Sequence, residues 1–475
     1  THSSAVDNGT STGAPTEDIT GATRSTTPDI GAYEVSCSPT PRSVYLSGSN
    51  HVAVPGYTEI NTFAGNQLTI EAWVSASSLK PQYWEGSIIS KSAEIAGVQS
   101  GFDLRMGANG IDFNLGTGAG WQSAFYNFAP DVLRWYHVAG VFDGDSVKLY
   151  IDGQRVAALL YSGTFNNNTE PLFIGESVTW SGRNFHGRID EVKVWNRALK
   201  PGELAYFSRH THCNPYGLVA YFQFNEEDEN EEPINAAPDA TSPEDGSYIG
   251  ARSCAGVEML APSSQLYVNA AATKSGDGSS WQQALKTIDE AIVASHYCTS
   301  IEKMHIAEGS YIPTYKPFEM WVDNEGREIS TTSKRDATFH VRSGMEVLGG
   351  YQADTGDRNP SIYHTEISGD INDGTNPDHD LYHVGLMVYK NTWDINDTTI
   401  VDGLSFKNGK AEEKSSLTVN GQSISRSDGG GMYIHGGLNR ISKSLFKINK
   451  SDTRGGGIYA DGFEHLSLKQ NNLDQ

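Results

Sequence analysis

The chain has few cysteines, no long apolar run and a deficit of positive charge, and each shortage excludes something. Cys37, Cys213, Cys254 and Cys298 are the only cysteines in 475 residues, and no two of them form a C-x-x-C pair. That spacing argues against a zinc site. No stretch approaches the roughly 20 apolar residues that a membrane-spanning helix needs, so no membrane insertion is expected in this segment. Lys and Arg number 35 against 58 Asp and Glu, a net charge of −23. Nucleic acid, which requires a basic footprint, is therefore not an expected partner. The GxSxG, HExxH, Walker and dinucleotide patterns are all missing, and no catalytic residue is assigned. No secretion signal opens the chain, which is polar from Thr1 to Gly13. With the abrupt stop at Gln475, this leads to the expectation of a piece cut from a longer protein.

What is present points to turns and strands. Fifty glycines, with many Asn, Asp, Ser and Thr, suit an all-β or solenoid protein, and 37% hydrophobic residues suffice for real cores. The length calls for two to four domains. Leu68, Ile70, Ala72 and Val74 alternate with polar residues; Trp135 to Phe142 reads as a strand, Asp143-Gly144-Asp145-Ser146 as a turn, and Val147 to Ile151 as the returning strand. Asp152-Gly153 is a second hairpin signal. Many short strands at this spacing imply a sandwich of two antiparallel sheets. From residue 266 the character changes. Leu266 to Asn269 is a strand, Gly276 to Trp281 a turn with an N-cap, and Ala284, Leu285, Ile288, Ala291 and Ile292 recur at helical spacing. Gly429-Gly430-Gly431-Met432-Tyr433 returns 26 residues later as Gly455-Gly456-Gly457-Ile458-Tyr459, a period that suits one solenoid coil. Four cysteines allow three complete pairings. Cys213 and Cys254 flank one segment and form the favoured bridge, in keeping with an oxidising, extracellular compartment.

Three motif blocks carry resemblances. "LTIEAWV" (Leu68 to Val74), "WYHVAGVFDGDSVKLYIDGQ" (Trp135 to Gln154) and "FHGRIDEVKVWNRAL" (Phe185 to Leu199) resemble the LamG/concanavalin A-like family in order and spacing. The strand Gly217 to Glu226 resembles a segment common in the same proteins. "DIGAYE" (Asp29 to Glu34), with Ala5 to Gly9 and Arg24, is similar to the closing rungs of bacterial right-handed β-helices of the pectate-lyase-like superfamily. Residues 266 to 311 resemble the N-terminal cap of such helices, and Met345 to Tyr351, Arg358 to Pro360 and Ile367 to Asp370 follow in the same order. The resemblances imply an all-β chain. Residues 1–36 would be the last rungs of one right-handed parallel β-helix. Residues 37–262 would be a LamG-type jelly-roll sandwich with returning C-terminal strands, and 263–475 the cap and first rungs of another β-helix. A bacterial cell-surface or secreted location goes with that order.

Candidate sites follow. Tyr83, Trp84, Trp121, Tyr126 and Trp180 sit in loop-like stretches with Pro, Gly, Ser or Asn. Aromatic faces stack on sugars and anchor interfaces; the alternative is ordinary packing at the sandwich edge. Asp190 interrupts the apolar alternation of Ile189, Val192 and Val194, where a carboxylate is costly unless paired or metal-bound. The resemblance implies a structural calcium ion at Asp190, with Asn225 or Glu226 as neighbouring ligands; the alternative is a hydrogen bond to a turn. Asp370, Asp373, Asp378, His379 and Asp380 cluster in the sequence, a set that suits calcium binding or acid and base roles in cleaving polysaccharide, but the Gly, Asn and Pro between them read as ordinary loop chemistry.

Three functions fit. The first is a non-enzymatic, adhesin-like surface protein whose solenoids present a module for an extracellular polysaccharide, glycan or surface protein, alongside further repeats of the same long chain. The second is part of a polysaccharide lyase or glycoside hydrolase with an accessory carbohydrate-binding domain. The third is a spacer. Fold alone does not separate them.

Overall fold

A computed structural model describes residues 41–474, apart from 49, 64–65, 211–215, 227–232, 238–244, 250, 254–255, 262, 299, 321–325, 330, 372–379, 390–397 and 464. The expected rungs at residues 1–36, the Cys213–Cys254 bridge and most of the Asp370–Asp380 cluster therefore lie outside the described residues. Cys298 is fully buried and is not a free thiol. The chain forms two compact units. One holds the residues up to Pro201 and Gly217–Glu258; the other holds Gly202–Tyr216 and Met259 onward. The division falls at the start of the short helix Pro201–Phe207, with Pro201 in the first unit and Gly202–Phe207 in the second.

The first unit is built from two antiparallel sheets. One has Leu68–Ala76 and His186–Trp195 at its centre. It runs from Gln154–Leu160 through Ser146–Ile151 and Tyr136–Phe142 on one side to Ser43–Ser47 and Ala251–Ser253 on the other. Leu218–Phe222 adds to His186–Trp195. The other runs Ser247–Ile249, His51–Val54, Leu172–Ile174, Ser87–Ser90, Phe102–Gly107, Gly110–Gly116 and Trp121–Tyr126. Period-two alternation explains the core. Leu68, Ile70, Ala72 and Val74 from the first sheet and Leu104, Ile111, Phe113 and Leu115 from the second are fully buried in one cluster. Each aliphatic side chain buried there contributes about 1.5–3 kcal/mol. Gly140 is a packing requirement: a Cβ there would come within 2.2 Å of the Phe113 ring. Asp152 and Gly153 both adopt positive φ, 49° and 76°, giving the turn the right-handed strand twist prefers.

The second unit is laddered in parallel. Gln265–Val268, Lys303–Ala307, Glu346–Tyr351, Thr399–Asp402, Leu438–Ser442 and His465–Lys469 form one parallel sheet. Gly309–Tyr311, Thr365–Ser368, Leu404–Lys407, Leu445–Lys447 and Asn472–Asp474 form a second. Phe339–His340, Gly385–Val388, Met432–His435 and Ile458–Asp461 form a third. The 26-residue repeat pairs with itself in register, Met432 beside Ile458 and Tyr433 beside Tyr459. Glycine lets these layers approach: a Cβ at Gly430 would meet the Lys450 carbonyl oxygen at 2.2 Å. Two details differ from the sequence reading. Ile441 to Phe446 is not one strand but the end of one and the start of another, divided at Lys443, whose φ is 48°. The helix begins at Ile288, not at Ala284. Thr287 caps it by accepting from the Glu290 N–H, and Glu290 returns a bond to the cap, a reciprocal arrangement that fixes the start. The antiparallel hairpin Ser416–Val419/Gln422–Ser425 was not anticipated; its Val419 and Ile424 pack on Leu386, Val388 and Tyr433.

Candidate functional site

Strand alternation places a polar face on the outside of the second sheet. In Phe102–Gly107 the apolar residues Phe102, Leu104 and Met106 point to the core, leaving Asp103 and Arg105 outward. In Gly110–Gly116 the outward residues are Asp112 and Asn114. Register sets Asp103 opposite Asn114, Arg105 opposite Asp112, and Asn114 opposite Ser123. These outward side chains are nonetheless buried. Two irregular segments wall them in. The turn Tyr83–Glu85 is tied to the strand ends by Met106 N–H to the Gly86 carbonyl (2.8 Å) and Ala108 N–H to the Lys80 carbonyl (2.8 Å). The 176–184 segment is tied by the Thr179 hydroxyl to the Ser92 carbonyl (2.6 Å) and the Val178 N–H to Ser90 Oγ (3.3 Å).

The result is an open pocket of about 500 Å³, lined among others by Tyr83, Trp84, Trp121, Trp180 and Arg183, with Arg105, Asp112, Asn114 and Ser123 at its base. Trp121 and Trp180 lie 5.8 Å apart, centroid to centroid, and Tyr83 meets Trp84 edge-on at 5.1 Å. The base is rigid. Arg105 Nε and Nη2 donate to the two oxygens of Asp112 at 2.9 and 2.6 Å, and Ser123 donates to Asp112 at 2.8 Å. Burial would lower the Arg105 pKa, but the Asp112 pair outweighs it and raises it, so the guanidinium stays charged. Asp103 Oδ1 accepts from Ser90 and Ser92 at 2.6 and 2.9 Å, and burial pushes its pKa up despite Arg105. The Asn114 amide oxygen is buried without a hydrogen-bond partner among the described residues.

Four of the five aromatic candidates therefore converge. Tyr126 does not. It lies five residues after Trp121 on the same strand, an odd separation that turns it to the opposite face, where it stacks on Phe128 at 5.4 Å. Trp121 and Tyr126 also occupy an edge strand, not loops. Arg105, Asp112, Asn114, Ser123 and Arg183 were not among the candidates. Their signal was the alternation of "FDLRMG" and "GIDFNLG", which sets charged and amide groups on one face.

Asp190 lies at an irregularity of the first sheet. The pairing of His186–Trp195 with Leu68–Ala76 slips between Asp190 and Lys193, and Glu191 has a φ of 51°. A β-bulge breaks the alternation there. Asp190 Oδ1 accepts from the Glu191 N–H at 2.9 Å and Oδ2 from the Val257 N–H at 2.7 Å. Burial, then the charge of Glu191, holds the Asp190 pKa well above the usual carboxylate range. Asn225 Oδ1 accepts from the Arg42 N–H at 2.9 Å and Glu226 Oε1 from the Ile234 N–H at 2.9 Å. These oxygens serve backbone donors, and no group of three or more His, Cys, Asp or Glu placed to hold a metal ion occurs among the described residues.

Residues 46–205 match the Laminin_G_3 family model, described as the concanavalin A-like lectin/glucanases superfamily. No curated protein matches the chain. Among solved structures, a putative carbohydrate-binding protein from Bacteroides ovatus is similar at 18% identity and a TM-score of 0.35, over 46% of this chain and 61% of its own length. The chain thus spans under two thirds of that protein. The CBM40 domain of the Ruminococcus gnavus IT-sialidase is similar at 20% identity and a TM-score of 0.28, over 35% of this chain and 97% of that domain. Domain 4 of an extracellular arabinanase from Geobacillus stearothermophilus is similar at 19% identity and a TM-score of 0.29, over 37% of this chain and 80% of that domain. Likenesses at these scores carry no inference about ligands.

Proposed function

We propose that the sandwich, whose residues 46–205 match a lectin-type superfamily, is a glycan-binding module, and that it binds through the pocket on the outer face of its second sheet. The observation that carries this reading is the convergence of Trp121, Trp180, Tyr83 and Trp84 around hydrogen-bonding groups that are already oriented. Sugars present apolar C–H faces and a fringe of hydroxyls. An aromatic wall takes the first and a fixed polar base takes the second, with little conformational entropy left to lose. The reading is one of binding without turnover. Asp112, a carboxylate at the base, is committed to Arg105 and Ser123 and is poorly placed to exchange a proton with substrate.

The parallel ladders of the second unit support a right-handed β-helix that carries the module as a stalk. An extracellular, surface-attached setting suits both parts. No helix among the described residues is long and apolar enough to cross a membrane. Calcium is not needed for this reading.

A glycan array probed with the intact chain tests it. Binding to a defined set of oligosaccharides is expected, and Trp180→Ala should weaken it by about 2 kcal/mol, roughly thirty-fold, with folding unchanged. An array that stays blank, or binding indifferent to Trp180→Ala and Trp121→Ala, contradicts the proposal.

A further inference from the structure

We infer that the sugar taken by this pocket carries a carboxylate, and that Arg183 binds it. The inference rests on the glycan reading above and adds the ligand's charge.

The pocket contains two guanidinium groups in different states. Arg105 is spent on Asp112. Arg183 lies with its guanidinium carbon 4.3 Å from the centre of the Trp180 ring and makes no ion pair among the described residues. Stacking occupies the face of a guanidinium and leaves its N–H edge free, the edge that pairs bidentately with a carboxylate. Burial, then repulsion from Arg105, works against the charge on Arg183, and the carboxylates of Asp103 and Glu85 offset this only in part. A bound anion offsets that repulsion. Asn114 supplies an amide oxygen without a protein partner at the base, a position for a hydroxyl or a bridging water. A ring stacked on the indole wall, an acid group at Arg183 and hydroxyls toward the base describe a uronic-acid-type sugar.

Negative charge around the pocket opposes an anion: Asp103 and Glu85 act on Arg183 itself, and two further features can be weighed. The chain's net charge is −23. At physiological salt, charges more than about 8 Å away are largely screened, so the pocket's own groups decide. Glu94, exposed on the strand Ala93–Ile95, also lines the pocket and repels an acid. Its removal should therefore help.

The test is calorimetric titration of the full chain with a panel of carboxylate-bearing oligosaccharides, oligogalacturonate among them, each paired with its carboxyl-reduced neutral form. The acid form should bind about ten-fold more tightly than its reduced partner. Arg183→Gln should abolish that preference, so that acid and reduced forms bind alike. Glu94→Gln, which leaves the Trp180 stack untouched, should raise affinity for the acid alone. Equal binding of acid and reduced forms by the wild type overturns this inference and leaves the glycan reading standing. A preference for acid that survives Arg183→Gln, or that Glu94→Gln fails to enhance, also counts against it. Binding of neither form in any pair also overturns this inference, and the glycan array then decides the broader reading.

Discussion

Replacing Glu71 with alanine should destabilise the sandwich by about 3–5 kcal/mol, because it removes one member of a buried charged network and strands the others. Glu71 is wholly buried in Leu68–Ala76. Its Oε2 lies 2.9 Å from His137 Nε2 and its Oε1 accepts from the Trp195 indole N–H at 2.9 Å. Burial alone would raise the Glu71 pKa. The charge of Lys193, helped by His137 and Trp195, overcomes this and holds it below the ordinary glutamate value of 4.5. A depressed carboxylate contributes stability that is fully present above its unfolded pKa and is lost as pH falls through its folded pKa. The stability difference between wild type and Glu71→Gln should therefore be constant at neutral pH and shrink below about pH 4.5. Comparing the two proteins isolates this group from Asp103 and Asp190, whose raised pKa values act in the opposite sense. Denaturant unfolding followed by tryptophan fluorescence reads both effects. A cost under 1 kcal/mol for Glu71→Ala would mean that the network contributes little.

Asp112→Ala should cost a similar amount, about 3–5 kcal/mol, and should abolish glycan binding as well. The Asp112 side chain is fully buried and holds Arg105 through two hydrogen bonds. Without it a buried guanidinium is left uncompensated beside Tyr83, whose ring lies 5.9 Å from it. The double variant Arg105→Met/Asp112→Leu separates the two roles. Removing both charges should recover most of the lost stability, since neither is then stranded, while binding stays lost because the polar base is gone. A double variant that still bound sugar would show that the base does not position the ligand.

Much of the sandwich was legible because antiparallel strands buried on one face write their period into the sequence. Leu68 to Val74 and the Asp152-Gly153 turn are examples, and the turn adopts the two positive φ values its residues favour. The 26-residue glycine repeat was legible for a related reason: layers that close-pack through backbone leave room for no Cβ. The site was only half legible. Aromatic residues in a polar setting drew attention to Trp121 and Trp180, but composition cannot report which way a strand residue points, and parity removed Tyr126. The bulge at Glu191 hid for a similar reason. One extra residue shifts the register, and from the sequence that shift looks only like a carboxylate interrupting the apolar alternation. Arg183 was invisible because its place over the Trp180 ring depends on the fold of the 176–184 segment.

The most direct measurement is a crystal structure of the sandwich with an oligosaccharide selected by the array. The sugar should sit against Trp180 and Trp121, its polar groups toward Arg183 and the Asp112–Asn114 base. A sugar found instead on the outer face of the other sheet, or near the Glu191 bulge, with this pocket holding only solvent, would contradict the account.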